Sequence, residues 1–222
     1  MIDFGMIDFP ILFEDGEALV IDKPAGLPLD RPRAGGISLD DHLEDLRFGF
    51  QRAPFPAHRL DRDTSGCLLL ARNPKALKRF AAAFEARQVK KRYWGVVAGE
   101  VAGEKGTVEL SLSKISSEQD GWRMIPARHG KAAITHWRVL ARVGGLALVE
   151  FRPETGRTHQ IRVHAAAGLG LPLLGDPVYG KAIAGTRTLL HAARLEVPRA
   201  GKDAIIAEAP MPQDFLKAGF AP

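Results

Sequence analysis

The sequence predicts an α+β fold built on a largely antiparallel or mixed sheet. Short apolar runs of strand character outnumber segments with helical periodicity. Those runs follow one another, whereas a doubly wound parallel sheet would need them to alternate with helices. The 222 residues, 45% hydrophobic and 26% charged, suffice for a sizeable core and exclude a disordered or fibrous chain. One domain covering 1–222 is expected, without repeats or a linker. The Pro/Gly-rich stretches 23–36 and 168–185 are read as long loops.

Residues 18–22 (A-L-V-I-D) form a strand that should stop at Pro24, which has no N–H for a ladder. Ser38 caps a helix whose Leu39, Leu43, Leu46 and Phe50 share one face, and Asp41 completes a capping-box-like start. Residues 64–72 (T-S-G-C-L-L-L-A-R) give a second strand. Asn73 and Pro74 then act as cap and first-turn proline of a helix running to about Gln88, with Leu77, Phe80, Ala81 and Phe84 on its apolar face. The polar side and end of that helix carry Lys78, Arg79, Arg87, Lys90, Lys91 and Arg92. They are either a solvated face with cations at a helix C-terminus or a ridge that contacts phosphates. Further strands are expected at 93–97, 107–113, 132–140 and 147–152. Residues 159–164 (H-Q-I-R-V-H) alternate as a strand would, and could also open a helix.

A net charge of +5 suits a polyanionic partner such as nucleic acid. Cys67 is the single cysteine, so neither an intrachain disulfide nor a cysteine-based metal site is available. The first ten residues include Asp3 and Asp8 and lack the basic start of a signal peptide. No apolar run reaches the ~18 residues of a membrane span, so a soluble cytoplasmic protein is expected. The glycine-rich stretch 168–175 lacks the lysine of a phosphate-binding loop and the spacing of a dinucleotide fingerprint. There is no G-x-S-x-G elbow. His159 and His164, five apart, diverge on a strand or a helix, which argues against a metal site.

Two segments could carry chemistry. In 58–66 (H-R-L-D-R-D-T-S-G), Asp61 lies between Arg59 and Arg62, two residues before Asp63. Nearby cations favour the carboxylate anion, which can serve as nucleophile, base or charge stabiliser. The plainer alternative is a surface turn with weak ion pairs. In 154–164, a strand would place Thr158, Gln160, Arg162 and His164 on one face, and His159, Ile161 and Val163 on the other. Arg162, held among packed residues, would need a partner, and a catalytic carboxylate would be a strong one. The residues thus propose a carboxylate–arginine site and leave the reaction open.

The segment 58–66 resembles the signature of the RluA-type pseudouridine synthases. The similarity continues in order through V-I-D-K-P-A-G (20–26), K-R-Y-W-G-V-V (91–97) and G-K-A-A-I-T (130–135). Residues 155–164 with L-G-D-P-V-Y-G (174–180), L-L-H-A (189–192) and A-P-M-P (209–212) complete it, so that about 19–215 is covered. The resemblance implies an isomerase converting uridine to pseudouridine in structured RNA, ribosomal or transfer. It implies a long mixed, mostly antiparallel sheet flanked by helices and loops, an RNA cleft across that sheet, and neither cofactor nor metal. Asp61 matches the family's catalytic aspartate, Tyr93 the tyrosine beside the target base, and Arg162 the arginine paired with the aspartate. Arg59 matches an arginine that enters the RNA stack, and Leu190 an apolar residue near the base. Arg62, Lys90, Lys91, Arg157 and His159 are further expected RNA contacts. Only about 17 residues precede the first matching strand, too few for the S4 domain of many relatives. A stand-alone catalytic domain, acting as a monomer with RNA as its partner, is therefore expected. One alternative is a silent RNA-binding module of the same fold, against which the intact Asp61, Tyr93 and Arg162 argue. Another is a hydrolase using Asp61 and Asp63, weakened if an extended chain points the two carboxylates to opposite faces.

Overall fold

The computed structural model describes residues 8–32, 34–117 and 121–221. In chain order the strands are β1 (Ile11–Glu14), β2 (Ala18–Lys23), β3 (Phe55–Pro56), β4 (Ser65–Ala71), β5 (Lys90–Ala98) and β6 (Lys105–Glu109). They continue with β7 (Leu112–Ser117), β8 (Gly121–Pro126), β9 (Ile134–Val143), β10 (Leu146–Pro153), β11 (Leu190–Val197) and β12 (Ile205–Glu208). The helices are α1 (Pro74–Glu85), α2 (Gln160–Val163) and α3 (Gln213–Lys217). Strands dominate and helices are few, in keeping with the α+β class. The chain falls into two compact units, Met1–Lys90 with Ala192–Pro210, and Lys91–His191 with Met211–Pro222.

In the first unit the strands are ordered β1-β2-β4-β11, with β12 on β11 and β3 on β4. The pairings of β2 with β1 and β4, of β3 with β4, and of β11 with β12 are antiparallel. All of β4 and all of β2 except Asp22 are buried. Coverage on both faces explains why these strands read as continuous apolar runs, without alternation. Ala18, Val20, Cys67 and Leu69 pack with Phe80 of α1 and with Leu195, Val197 and Ile205. The Cys67 thiol lies in this core, and burial pushes its pKa up to about 12. Gly66 has φ +106°, and a Cβ there would lie 2.3 Å from the Ala192 carbonyl oxygen, so only glycine fits.

The α1 helix starts as its sequence predicts: the Asn73 side chain accepts from the Ala76 N–H at 2.9 Å, and Pro74 takes the first helical position. It ends at Glu85, not Gln88, because Arg87 turns left-handed at φ +57°. Lys90, Lys91 and Arg92 therefore stand on β5, not at a helix end. The helix expected after Ser38 is replaced by two 3-10 turns, Leu39–His42 and Asp45–Arg47. Asp41 does cap the first, accepting from the Ser38 N–H and hydroxyl at 2.9 Å each. The Asp-rich turns hold little helical propensity, and the backbone reverses at Phe48 and Gly49, both at positive φ.

In the second unit β5, β10, β9 and β6 lie side by side in that order, each pair antiparallel. β7 and β8 form a separate hairpin. The single strand expected at 107–113 is thus two strands: β6 leaves β9 after Glu109, and β7 starts at Leu112 to pair with β8. Val97, Val149, Phe151, Ile161, Leu173 and Leu190 form one apolar cluster. Val96, Leu148, Leu189, Phe215 and Phe220 form another. No helix among the described residues is long and apolar enough to cross a membrane.

The strand reading of 159–164 is overturned. His159 adopts φ +54°, α2 follows, and the chain continues as a wider turn over His164–Gly168. The four residues of α2 are all buried, so no polar face was left to betray a helix by its period. Arg162 and His164 consequently do not share a strand face with Thr158 and Gln160.

Candidate active site

In the first unit, Asp61 opens a turn closed by the Thr64 N–H, which donates to the Asp61 carbonyl at 3.1 Å. Asp61 is half-buried between buried Leu60 and the buried Thr64–Ser65 pair. The turn is pinned from the loop that follows β2. The Arg62 carbonyl accepts from the Gly26 N–H at 2.9 Å and from the Lys23 ammonium at 3.1 Å. Gly26 can present that N–H because its φ is +87°. Lys23 has no exposed surface (0%), and its ammonium also donates to the carbonyls of Pro24 at 2.7 Å and Leu27 at 2.8 Å. At the start of the motif, the His58 Nε2 accepts from the Leu69 N–H at 3.0 Å, and the ring stacks on Phe84.

This turn removes one argument made from the sequence. Residues 61–63 are not extended, so alternation does not send Asp61 and Asp63 to opposite faces. The Asp63 carboxylate accepts from the Arg62 Nε at 3.1 Å. Arg59 is exposed and pairs with Asp30 at 3.1 Å. Lys90, also exposed, pairs with Glu196 at 2.8 Å.

In the second unit, Tyr93 lies on β5 opposite Phe151 and packs against the cluster that contains Leu190 and Ile161. Lys91, two residues earlier, shares its strand face. The Lys91 ammonium donates to the Thr155 carbonyl at 3.1 Å, and burial pulls its pKa down to about 8. A lysine expected to reach RNA phosphates is thus partly withdrawn into the protein.

Gln160 explains why the chain enters a helix here. Its side-chain oxygen accepts from the Thr155 hydroxyl at 2.7 Å and the Arg157 N–H at 3.0 Å. Its amide nitrogen donates to the Ile134 carbonyl and the Thr135 hydroxyl, both at 2.9 Å. One buried amide thereby ties the turn before α2 to β9. Arg157 donates from Nε to the Ala132 carbonyl at 3.2 Å.

Arg162 emerges from α2 into a two-pronged pair with Asp176, Nε to Oδ2 and Nη2 to Oδ1, both at 2.7 Å, with both side chains buried. The third side of the guanidinium, Nη1, meets His159 Nε2 at 2.9 Å. Because a guanidinium only donates, Nε2 is the unprotonated ring nitrogen. Nδ1 then carries the proton and donates to the Tyr179 hydroxyl oxygen at 2.9 Å, which also accepts from the Met124 N–H at 2.9 Å. Trp122 stacks on the His159 ring at 4.9 Å. Burial acts to raise the pKa of Asp176, but Arg162 and the Val178 and Tyr179 N–H groups outweigh it and hold the carboxyl below its usual range.

Arg59, Asp61 and Arg62 thus come together in the first unit, and Tyr93, Arg162, His159, Lys91 and Leu190 gather around α2 in the second. The sequence reading missed Lys23 and Asp176. Lys23 stood in the quoted V-I-D-K-P-A-G stretch, but a lysine is among the residues least often buried, so its burial was not foreseen. Asp176 stood in the quoted L-G-D-P-V-Y-G stretch, where the need of a buried arginine for a carboxylate could have pointed to it. Among the described residues, no group of three or more His, Cys, Asp or Glu side chains could hold a metal.

A family profile described as RNA pseudouridylate synthase matches residues 17–167, a span containing Asp61, Tyr93 and Arg162. The chain is 55% identical to an uncharacterized RNA pseudouridine synthase of Zymomonas mobilis, over 95% of this chain and 97% of that one. It is 36% identical to ribosomal large subunit pseudouridine synthase D of the same organism, over 94% of this chain and 71% of that one. The solved structure of human RNA Pseudouridylate Synthase Domain Containing 4 matches with a TM-score of 0.77 at 28% identity, covering 93% of this chain and 90% of that one.

Proposed function

Because the chain belongs to the RNA pseudouridine synthase family, and is therefore an RNA-modifying isomerase, we propose that Asp61 is the carboxylate that starts the conversion. The observation that carries this is the H-R-L-D-R-D-T-S-G segment, resembling the family signature and held as a half-buried, pinned turn. Tyr93 and Arg162 complete the catalytic set. In the conversion, the bond from N1 of uracil to C1′ of the sugar breaks, and the base rotates. A bond from C5 to C1′ forms, C5 loses its hydrogen as a proton, and N1 gains one. The change balances without oxidant, reductant or cofactor. The anionic carboxylate begins it by attacking either the sugar or the ring.

The target uridine must first leave its stack, at a cost of a few kcal/mol. Tyr93 offers an aromatic face, worth ~1–3 kcal/mol if the base stacks on it. Arg59, with a planar exposed guanidinium, is suited to fill the vacated position. Arg62, Lys90, Lys91, Arg157, His159 and Leu190 make the remaining RNA contacts. The substrate is a structured RNA, ribosomal or transfer; the name of the Zymomonas mobilis relative favours the ribosomal choice. Residues 1–222 act as one catalytic domain, a monomer working in the cytoplasm.

Tritium release from RNA labelled at C5 of uridine tests the assignment. Asp61→Asn should fold, retain RNA binding and release tritium only at background. Asp63→Asn should remain active. Substantial release by Asp61→Asn, or equal inactivation of a folded Asp63→Asn, overturns the assignment. Product analysis separates the reaction classes: pseudouridine supports isomerisation, and free uracil means hydrolysis.

A further inference from the structure

We infer that Trp122 is a stacking platform for one unpaired base of the substrate RNA, a nucleotide other than the target uridine. The inference rests on RNA as the substrate class of the family, and not on the assignment of Asp61. Trp122 stands on β8 opposite Ser116, and Lys114 stands opposite Met124, so these four side chains share one face of the β7–β8 hairpin. The base of the hairpin is anchored. Leu112 packs with Ala133 and Val163, and the Met124 N–H donates to the Tyr179 hydroxyl at 2.9 Å. The indole on this fixed support is nevertheless 45% exposed. A large aromatic side chain is usually well covered, so its exposure here asks for an explanation.

His159 supports the indole, with the ring centroids 4.9 Å apart and the planes 27° from parallel. That imidazole is itself locked, Nε2 against Arg162 and Nδ1 against the Tyr179 hydroxyl. An indole held on a fixed ring has little freedom left to lose, so adding a base to it carries a small ordering cost. The Lys114 ammonium stands 5.0 Å from the indole centroid, on an exposed side chain. A cation–π contact is weak in water, so this chain can swing aside for a base and keep its charge near the adjoining phosphate. Residues 112–131 carry Lys114, Arg123, Arg128 and Lys131 against Glu118 and Asp120, an excess of cations that suits a polyanion. Tyr93 belongs to β5 and packs in the cluster with Leu190 and Ile161, whereas Trp122 stands on the separate hairpin, so the two rings serve different nucleotides. Every base has a π-face, so the platform accepts any unpaired base.

Short single-stranded oligo(A) supplies unpaired bases, and an RNA duplex supplies none. At low salt, oligo(A) should quench the tryptophan fluorescence of the wild type, and the duplex should not. Trp122→Leu should lose the quench and bind oligo(A) ~5- to 150-fold more weakly, with a thermal midpoint close to that of the wild type. Trp122→Phe keeps a π-face, so it should retain most of the affinity and lose the quench. That pair of readings decides the matter even if Trp122→Leu does not fold. Asp61→Asn should be quenched as the wild type is, whether or not it releases tritium, so the two assignments fail independently. No quench in the wild type, a quench that survives in Trp122→Phe, or unchanged affinity in a folded Trp122→Leu overturns the platform. A lowered midpoint with unchanged affinity in Trp122→Leu would make the indole a cover for His159 alone.

Discussion

Arg162 shows how much one side chain can determine. Its charge is met on two prongs by Asp176 and on the third side by a neutral His159, whose tautomer follows from that contact. Removing the arginine would leave the Asp176 carboxylate buried and unpaired. Arg162→Met should therefore lose ~3–5 kcal/mol of stability, read from urea unfolding, and adding Asp176→Asn should restore much of it. If Arg162→Met alone unfolds like the wild type, the pair carries no weight in the fold. Lys91 gives a pH signature of opposite kind. Its folded pKa of about 8 lies below the ordinary lysine value of 10.5, so between those values the unfolded chain holds a proton that the folded chain has lost. Stability attributable to Lys91 should thus rise with pH from about 8 to about 10.5. In the difference between wild type and Lys91→Met that rise should be visible, and a flat difference would refute it.

At the scale of elements, legibility followed coverage. β2, β4 and α1 were read correctly because an apolar run or a capped amphipathic period survives in the sequence. α2 stood only as the alternative to a strand, because four buried residues show no period and the signal for the helix is a side chain, Gln160, bonding to residues 20 or more positions back. Asp61 and Arg162 stood out from their own charge and context, whereas Tyr93 and the roles of all three came from the resemblance. Their immediate supports, Lys23 and Asp176, depend on contacts between distant segments that spacing cannot reveal. β4 supplies the element-scale prediction. Gly66→Ala would strain a positive φ and drive a Cβ into the Ala192 carbonyl. It should cost about 3 kcal/mol or more, seen as a lowered denaturation midpoint or loss of soluble protein. Gly16→Ala, where a Cβ meets nothing within 4 Å, should be nearly neutral; similar losses at both positions would disprove the steric account.

For the whole molecule, composition foresaw a packed core and the succession of apolar runs a strand-rich fold, whereas the division into two units left no mark on the sequence. The strand β11 starts in one unit and continues in the other, so no linker announces a boundary. The same division sorts the intrinsic reporters of the chain. Trp94, Trp122 and Trp137, all the tryptophans there are, belong to the second unit, and the one thiol, Cys67, lies in the core of the first. Fluorescence therefore follows one unit, and pulsed alkylation, which needs the core around Cys67 to open, follows the other. If 1–222 behaves as one cooperative domain, the two probes should trace the same urea transition. Separate midpoints would mean that each unit unfolds on its own, and this unlabelled, unmutated chain would report which of them yields first.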